Sequence, residues 1–179
     1  MGTVIPVEQL AALGDDLRAR GLRVVFTNGH FDLLHVGHLR YLQAARALGE
    51  VLIVGVNDDA ITAARKGPGR PIVPEAERAE LLAGLACVDY AVIFHEPTAE
   101  RCVQLLRPHV YAKGGDYAPG GTDLPEARVV AAQGGETVIL PLVAGRSTSA
   151  LVAAIRRERP SPPGPLSQRA GRGGEDRLR

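Results

Sequence analysis

Apolar segments of strand length alternate with segments of helical periodicity along most of the chain. Residues 51–56 (VLIVGV) and 137–140 (TVIL) are nearly continuous apolar runs, as expected for strands of a sheet that is covered on both faces. After the first strand-like segment, apolar residues recur at helical spacing, at Leu39, Leu42, Ala45 and Leu48. Repeated switching between these two periods is typical of an α/β fold.

The alternation predicts five strands, at residues 22–27, 51–56, 89–94, 109–112 and 136–140. It predicts helices at about 6–20, 37–48, about 74–86, 98–106, about 124–133 and 147–157. Strands that alternate with helices pair in parallel through helical crossovers. We therefore expect an α/β fold, namely a doubly wound, Rossmann-like parallel sheet of about five strands in a single domain.

Composition divides the chain into three parts. Its 179 residues are 45% hydrophobic, which suffices for one sizeable core. We assign residues 1–21 to an N-terminal helical extension and residues 22–157 to the α/β domain. Residues 158–179 are rich in Pro, Gly and Arg and contain little to bury, so a disordered basic tail is predicted there. This tail is either a solvated extension or a contact for RNA or an acidic partner.

Charge and hydropathy argue against several classes of protein. Residues 157–179 hold six Arg against three acidic residues, so most of the chain is slightly acidic although the net charge is +1. We do not expect such a body to bind nucleic acid. The chain has no run of about 18 apolar residues and no signal-like start, so we expect no membrane contact and a cytoplasmic location. Cys87 and Cys102 lack metal-ligand spacing.

The polar clusters of the chain follow predicted strands. In a doubly wound sheet, ligands bind beyond the carboxyl ends of the strands, where the strand order reverses. We therefore expect the clusters to converge on one site; they lie at residues 28–38, 57–59, 113–117 and 145–149. Asn57 and Asp58, at the end of the second predicted strand, are candidate contacts for a substrate.

Two histidines three residues apart, His35 and His38, lie where the first predicted strand leads into a helix. Unpaired backbone N–H groups and the dipole at a helix N-terminus favour an anion, and Gly37 allows close approach to the backbone. We interpret the pair as a phosphate site. One alternative to the phosphate site is a zinc site that includes His30, but a further ligand at recognisable spacing is not evident nearby. The other alternative is an incidental polar loop. His30 either lines the pocket or caps the loop.

A cationic loop, residues 66–71 (KGPGRP), precedes the next predicted helix. Such a loop is often a surface turn, but its place after a strand beside the histidine segment favours a lid over phosphates, with Lys66 and Arg70 as its cations. Arg78 lies in the first turns of the following helix, where a cation is unfavourable for the helix dipole. Either a bound anion or solvent exposure explains Arg78.

Two later clusters offer contacts to a nucleotide. Residues 147–149 (STS) open the last helix, where they either cap it or cap it and also hold a phosphate. Residues 113–117 (KGGDY) combine flexible backbone with a cation and a carboxylate. They form either an ordinary loop or one that faces a base.

The ordered set of these motifs resembles the cytidylyltransferase-like nucleotidyltransferases. The resemblance covers about residues 22–157 and implies that they form a nucleotidyltransferase domain. The matching segments are residues 28–32 (NGHFD), 35–38 (HVGH), 66–71, 77–78 (ER), 113–117 and 147–148. Within that superfamily the chain is most similar to the D-glycero-β-D-manno-heptose 1-phosphate adenylyltransferases. The His-x-Gly-His element is shared with class I aminoacyl-tRNA synthetases, which need a longer chain and a second, lysine-rich signature.

The resemblance favours ATP over CTP as the nucleotide. Glycerol-phosphate and phosphocholine cytidylyltransferases carry Arg-Thr-x-Gly-Ile before the Ser-Thr pair, whereas residues 143–146 read VAGR here. The KGGDY segment is also more similar to the heptose enzymes. The resemblance thus implies transfer of AMP from ATP to a sugar 1-phosphate, with release of pyrophosphate and formation of an ADP-sugar.

The same resemblance implies roles for individual residues. The catalytic residues would be His35, His38 and Lys66. The nucleotide contacts would be Thr27, Asn28, Gly29, Phe31, Asp32, Gly37, Arg78, Lys113, Gly115, Asp116, Tyr117, Ser147 and Thr148. The substrate contacts would be His30, Asn57, Asp58, Arg70 and Arg146. Mg²⁺ is the expected cofactor, bound mainly through the ATP phosphates and not by a dedicated protein metal site.

Two other functions stay open on the sequence. One is a cytidylyltransferase that acts on glycerol 3-phosphate or an amino-alcohol phosphate. The other is a catalytically silent nucleotide-binding module, against which the intact His-x-Gly-His element, Lys66 and Arg78 argue. The resemblance also raises a homodimer as an assembly.

Overall fold

The computed structural model describes residues 2–115, 124–141, 143, 145 and 147–156. Six strands form one sheet: β1 (Thr3–Ile5), β2 (Val24–Gly29), β3 (Val51–Asn57), β4 (Tyr90–Phe94), β5 (Val110–Gly114) and β6 (Glu136–Leu140). The α-helices are α1 (Leu10–Ala19), α2 (Val36–Arg46), α3 (Asp59–Lys66), α4 (Glu75–Ala83), α5 (Glu100–Leu106), α6 (Pro125–Ala132) and α7 (Thr148–Arg156). A short 3-10 turn, Val7–Gln9, precedes α1.

The strand order is β1-β4-β3-β2-β5-β6, and every neighbouring pair is parallel. From β2 the chain builds outward through β3 and β4, and then returns to place β5 on the other side of β2. The strand order therefore reverses between β2 and β5, as in a doubly wound sheet. The predicted Rossmann-like α/β architecture is confirmed.

Alternating side chains of the strands divide the interior into two cores, one on each face of the sheet. Phe26, Ile53 and Tyr111 belong to a core that includes residues of α1, α5 and α6. Val25 and Leu52 belong to a second core that includes residues of α2 and α4. Burial on both faces explains why β3 has no polar side chain from Val51 to Val56.

Two elements were not predicted from the sequence. Residues 3–5 form an edge strand, in which Thr3 pairs with Tyr90 and Ile5 with Val92, so the described sheet has six strands where about five were predicted. The segment predicted as a helical extension, 1–21, thus contributes a strand to the sheet as well as α1. Helix α3 occupies residues 59–66, so Lys66 ends a helix and does not belong to the loop predicted at 66–71.

The chain divides into two compact units, Met1–Thr148 and Ser149–Arg179, and all but the first residue of α7 falls in the second. The predicted tail, 158–179, lies outside the described residues. Among the residues that are described, no helix has the length and apolar character needed to span a membrane.

Candidate active site

The loop that leads into α2 is organised by His35, the N-cap of this helix. Its Nδ1 accepts hydrogen bonds from the backbone N–H groups of Gly37 and His38, at 3.1 Å and 3.4 Å. Because Nδ1 is the acceptor, a neutral His35 ring carries its proton on Nε2. The predicted helix start is confirmed, but its amides are not unpaired as expected. An anion here would meet imidazole N–H groups instead of these two amides.

His38 lies in the first turn of α2 and stacks on His35, with ring centroids 3.9 Å apart and an interplanar angle of 19°. Phe31 packs edge-on against His38, at 5.4 Å and 66°. Burial, and less strongly the neighbouring His35, lower the pKa of His38 to about 4. His38 is therefore neutral near pH 7, so it acts there as a hydrogen-bonding group and not as a cation.

Phe31 supports this pair from a strained turn. Its φ of 47° lies in the left-handed region, which bulky residues rarely occupy. The ring covers Gly29, where a Cβ atom would lie 3.0 Å from Phe31 Cε2. A side chain at Gly29 would therefore require the Phe31 ring to move by a few tenths of an ångström. Phe31 is itself buried in the core, so its part is to hold the loop and His38 in place.

Three side chains of β2 and β5 meet where the strand order reverses. The amide oxygen of Asn28 accepts hydrogen bonds from the Tyr111 hydroxyl at 2.8 Å and from the Lys113 ammonium at 3.1 Å. Burial lowers the pKa of Lys113, while the Glu126 carboxylate opposes the shift and Arg65 adds to it. The structure therefore brings together the predicted residues Asn28 and Lys113. Tyr111 was missed, although it precedes Lys113 by two positions and so shares its face of β5.

Thr27 is fully buried and contacts protein groups. Its Oγ1 lies 2.6 Å from the Tyr41 hydroxyl, which donates to the carbonyl oxygen of Ala112 at 3.0 Å. Since that hydroxyl proton goes to Ala112, Thr27 donates to Tyr41. This series of hydrogen bonds connects α2 with β2 and β5. Thr27 thereby positions the helix that carries His38, and its contact with a nucleotide stays a prediction.

Arg78 is fully buried, so solvent exposure does not explain its place near the start of a helix. Its guanidinium donates to the carbonyl oxygens of Val73 (2.9 Å), Asn57 (2.8 Å) and His30, and pairs with Asp59 at 2.6 Å. These acceptors belong to the ends of β2 and β3, the start of α3 and the loop before α4. In the structure Arg78 therefore holds together the loops that surround the site, and its contact with a phosphate stays a prediction.

Asp32 fastens the loop before α4 to the histidine loop. Its Oδ1 accepts hydrogen bonds from the backbone N–H groups of Ile72 at 2.7 Å and Val73 at 2.9 Å. Its Oδ2 forms an ion pair with Nε of Arg70, and only 13% of the Arg70 side chain is exposed. Asp32 and Arg70 thus have structural partners where direct contacts to nucleotide and substrate were predicted.

His30 lies among the cationic side chains expected at this edge, one of which is Lys66. His30 Nδ1 lies 3.0 Å from the hydroxyl of Thr62 in α3. Burial lowers the pKa of His30 to about 4, and the positive charges of Lys66, Arg65, Arg78 and Lys113 contribute further. Lys66 is exposed at the end of α3 and forms no ion pair within the described ranges.

The end of β3 continues into α3 through Asn57 and Asp58. The Asp58 carboxylate caps α3 by accepting from the N–H of Ile61 at 2.7 Å, and its other oxygen lies 3.0 Å from His95 Nδ1. This hydrogen bond raises the pKa of His95. The predicted substrate contact at Asp58 is thus occupied by protein partners. His95 was missed because a lone histidine after a strand carries no pattern.

The remaining predicted residues lie at the ends of β5 and β6. The N–H of Gly115 donates to the carbonyl of Leu140 at 3.2 Å, so the loop after β5 starts against β6. Ser147 precedes α7 and Thr148 is its first residue, as the hydroxyl cluster predicts. Asp116, Tyr117 and Arg146 lie outside the described residues.

Comparison with known proteins identifies the family to which this chain is similar. The family model described as cytidylyltransferase-like matches residues 26–133, which include most of β2, the His-x-Gly-His loop and β3 to β5. Curated relatives named bifunctional protein HldE are 47% identical over 151 residues in Geobacter metallireducens and 50% identical over 155 residues in Pseudomonas aeruginosa PAO1. These alignments cover 84% and 87% of this chain but 30% and 32% of the relatives. The chain therefore spans about a third of their length.

Solved structures share the fold. The lipopolysaccharide core biosynthesis protein from Thermoplasma volcanium GSS1 is 29% identical, with a TM-score of 0.55 over 69% of this chain and 98% of that chain. Pantoate-beta-alanine ligase from Francisella tularensis is 12% identical, with a TM-score of 0.53 over 83% of this chain and 69% of its own; this likeness concerns the fold alone. On the match at 26–133 and the HldE relatives, the chain belongs to the cytidylyltransferase-like family and is a nucleotidyltransferase.

Proposed function

We propose that this enzyme transfers AMP from ATP to a sugar 1-phosphate, releasing pyrophosphate and forming an ADP-sugar, with heptose 1-phosphate as the first acceptor to test. The observation that carries the proposal is the stacked pair His35 and His38 beside the strand reversal, in which His38 is neutral near pH 7. The similarity of residues 113–117 to the heptose enzymes and the relatives named HldE support this choice of acceptor.

The proposed reaction is an in-line displacement at the α-phosphorus of ATP. An oxygen of the acceptor phosphate forms the new P–O bond, and the bond to the bridging oxygen of the β-phosphate breaks, so pyrophosphate leaves with the electron pair. A phosphate monoester is largely dianionic at neutral pH and needs no general base. The enzyme's task is to position both substrates and to stabilise the charge that builds on the phosphate oxygens.

In this proposal the imidazole N–H groups of His35 and His38 donate to oxygens of the α- and β-phosphates. Neutral rings suit this task because they donate hydrogen bonds without needing a proton from solution. Lys66, exposed at the end of α3, offsets the charge of the triphosphate. Ser147 and Thr148 remain proposed contacts of the β- or γ-phosphate.

In this proposal Mg²⁺ would bind together with the triphosphate. It prefers oxygen ligands and keeps several waters, so phosphate oxygens supply much of its coordination. Asp32, the acidic residue of the loop that leads into α2, already accepts two backbone hydrogen bonds and pairs with Arg70. The residues present therefore fit an ion held mainly by the nucleotide. When bound, Mg²⁺ would neutralise phosphate charge.

The test is an assay of pyrophosphate release with Mg²⁺ that crosses ATP, CTP, GTP and UTP with heptose 1-phosphate, hexose 1-phosphate, glycerol 3-phosphate and an amino-alcohol phosphate. We expect ATP with a sugar 1-phosphate to give the highest kcat/KM. The enzyme without acceptor is the control for nucleotide hydrolysis.

Two outcomes would replace the proposal. Preference for CTP with glycerol 3-phosphate or the amino-alcohol phosphate would establish the cytidylyltransferase alternative. Tight binding of nucleotide without turnover of any acceptor would instead indicate a silent binding module.

A further inference from the structure

The end of β2 carries a different set of side chains on each face of the sheet. Thr27 contacts Tyr41 of α2, the helix that begins at the histidine pair. Asn28 points to the opposite face, because successive residues of a strand alternate and Phe26 lies in the core of α1, α5 and α6. The two stacked histidines and Asn28 therefore stand on opposite sides of the end of β2.

Lys113 is the cationic neighbour of Asn28. Phe26 pairs with Tyr111 across β2 and β5, so Asn28 and Lys113 stand level, each two residues further along its strand. The Asn28 oxygen accepts from both Tyr111 and Lys113, which fixes the amide and directs its two N–H donors elsewhere. Lys113 uses one of its three N–H donors in this contact and lies 5.7 Å from the centroid of the Tyr111 ring.

Lys113 has charged neighbours of both signs. Its own charge and that of Lys66 both lower the pKa of His30, and Arg65 lowers the pKa values of both His30 and Lys113. Glu126 is the opposing charge, but it is buried and accepts a hydrogen bond from the N–H of Ala99 at 2.9 Å. Of the 21 Lys and Arg residues in the chain only Lys66 and Lys113 are lysines, and both lie at this edge of the sheet.

An in-line displacement requires the nucleophile and the leaving group on opposite sides of the α-phosphorus. If pyrophosphate departs on the side of His35 and His38, the acceptor must approach from the other side of the end of β2. We propose that Lys113 and Asn28 bind the phosphate of the acceptor there, and do not contact the nucleotide. This inference rests on the proposed function and reassigns two residues that the resemblance places among the nucleotide contacts.

The test is calorimetric titration of heptose 1-phosphate into enzyme saturated with a non-hydrolysable ATP analogue, and of that analogue into free enzyme. In Lys113→Met we expect the acceptor to bind roughly tenfold to a hundredfold more weakly, because a hydrogen bond to a charged group is lost. The Kd of the ATP analogue should stay within about threefold. Asn28→Ala should show the same selectivity, and Lys113→Arg should recover part of the affinity.

Arg20→Ala is the matched control, because it removes one positive charge from an exposed ion pair with Asp16 on α1. Equal weakening of the analogue and the acceptor in Lys113→Met, or no change in either, would overturn the inference. If wild-type enzyme turns over heptose 1-phosphate while Lys113→Met and Asn28→Ala bind it normally, only this inference fails. If wild-type enzyme neither binds nor turns over any phosphate acceptor, the proposed function fails and this inference with it.

Discussion

At the scale of single residues, His38 is the side chain on which the proposed chemistry most depends. We expect His38→Ala to lower kcat by about 10²-fold or more, about 3 kcal/mol, as when one donor is removed from a preorganised site. The measurement is steady-state pyrophosphate release at saturating ATP and acceptor. Tyr41→Phe is a useful comparison, because it removes the hydroxyl that connects α2 to Thr27 and Ala112 while the imidazole rings of His35 and His38 remain. Activity of His38→Ala within threefold of wild type would end the assignment.

Two histidines whose pKa values are lowered to about 4 also predict how stability depends on pH. His30 and His38 have pKa values of about 4 in the folded protein, below the ordinary value of 6.5. The unfolded chain therefore binds more protons between these values, so the free energy of unfolding falls as pH decreases from about 6.5 towards 4. Thermal melts across this interval should show the decline.

His30→Asn and His38→Asn should each flatten the pH dependence, because each removes one of the groups that titrate differently in the two states. Titration of the histidine ring protons by NMR gives the pKa values directly. A midpoint near 6.5 for both rings would contradict the burial that the structure assigns to them.

Local sequence was a good guide to His35 and His38, since a helix N-cap and its first turn are set by a few consecutive residues. It was a poor guide to Arg78. The acceptors of its guanidinium lie at His30, Asn57, Asp59 and Val73, and only the folded sheet brings them together. A lone arginine near a helix start has the same local pattern whether it is exposed, buried or bound to an anion.

At the scale of elements, Arg78 joins β2, β3, α3 and the loop before α4. Arg78→Met should lower the free energy of unfolding by on the order of 3 kcal/mol, because buried carbonyl oxygens lose their donors. Chemical denaturation measures this change. Asp59→Asn is the control: it weakens a pair whose acidic partner is 42% exposed and should cost less than about 1 kcal/mol. Unchanged stability with a large loss of ATP affinity would support the predicted phosphate contact.

The elements missed by the sequence were the short ones. Helix α3 has eight residues, and its capping group, Asp58, also fits the polar loop that was expected there. Strand β1 has three residues, too few to show alternation, and its identity comes from pairing with β4, nearly ninety positions away. The long, strongly patterned elements, such as β3 and α2, were predicted to within one or two residues. Periodicity identifies an element only when enough residues repeat it.

At the scale of the whole molecule, the first residues of the chain belong to the sheet because they form β1. The N–H of Gly2 donates to Ala83 at 2.9 Å, the N–H of Thr3 donates to Asp89 at 3.0 Å, and Ile5 is buried in the core. Strands β4 and β3 separate β1 from β2, so the effect of β1 on the site should be small. Deletion of residues 2–5 should therefore lower the melting temperature by on the order of 5 °C and leave kcat and both KM values within about twofold.

Val4→Ser is the matched control for this deletion, because Val4 is 42% exposed and the substitution keeps the backbone hydrogen bonds of β1. It should leave the melting temperature nearly unchanged. A deletion variant as stable as wild type would show that the pairing of β1 with β4 contributes nothing, and residues 1–21 would again be a separate extension. Loss of an edge strand that is separated from β2 by two other strands should change stability alone. A deletion that instead raised KM for ATP would show that β1 affects the active site.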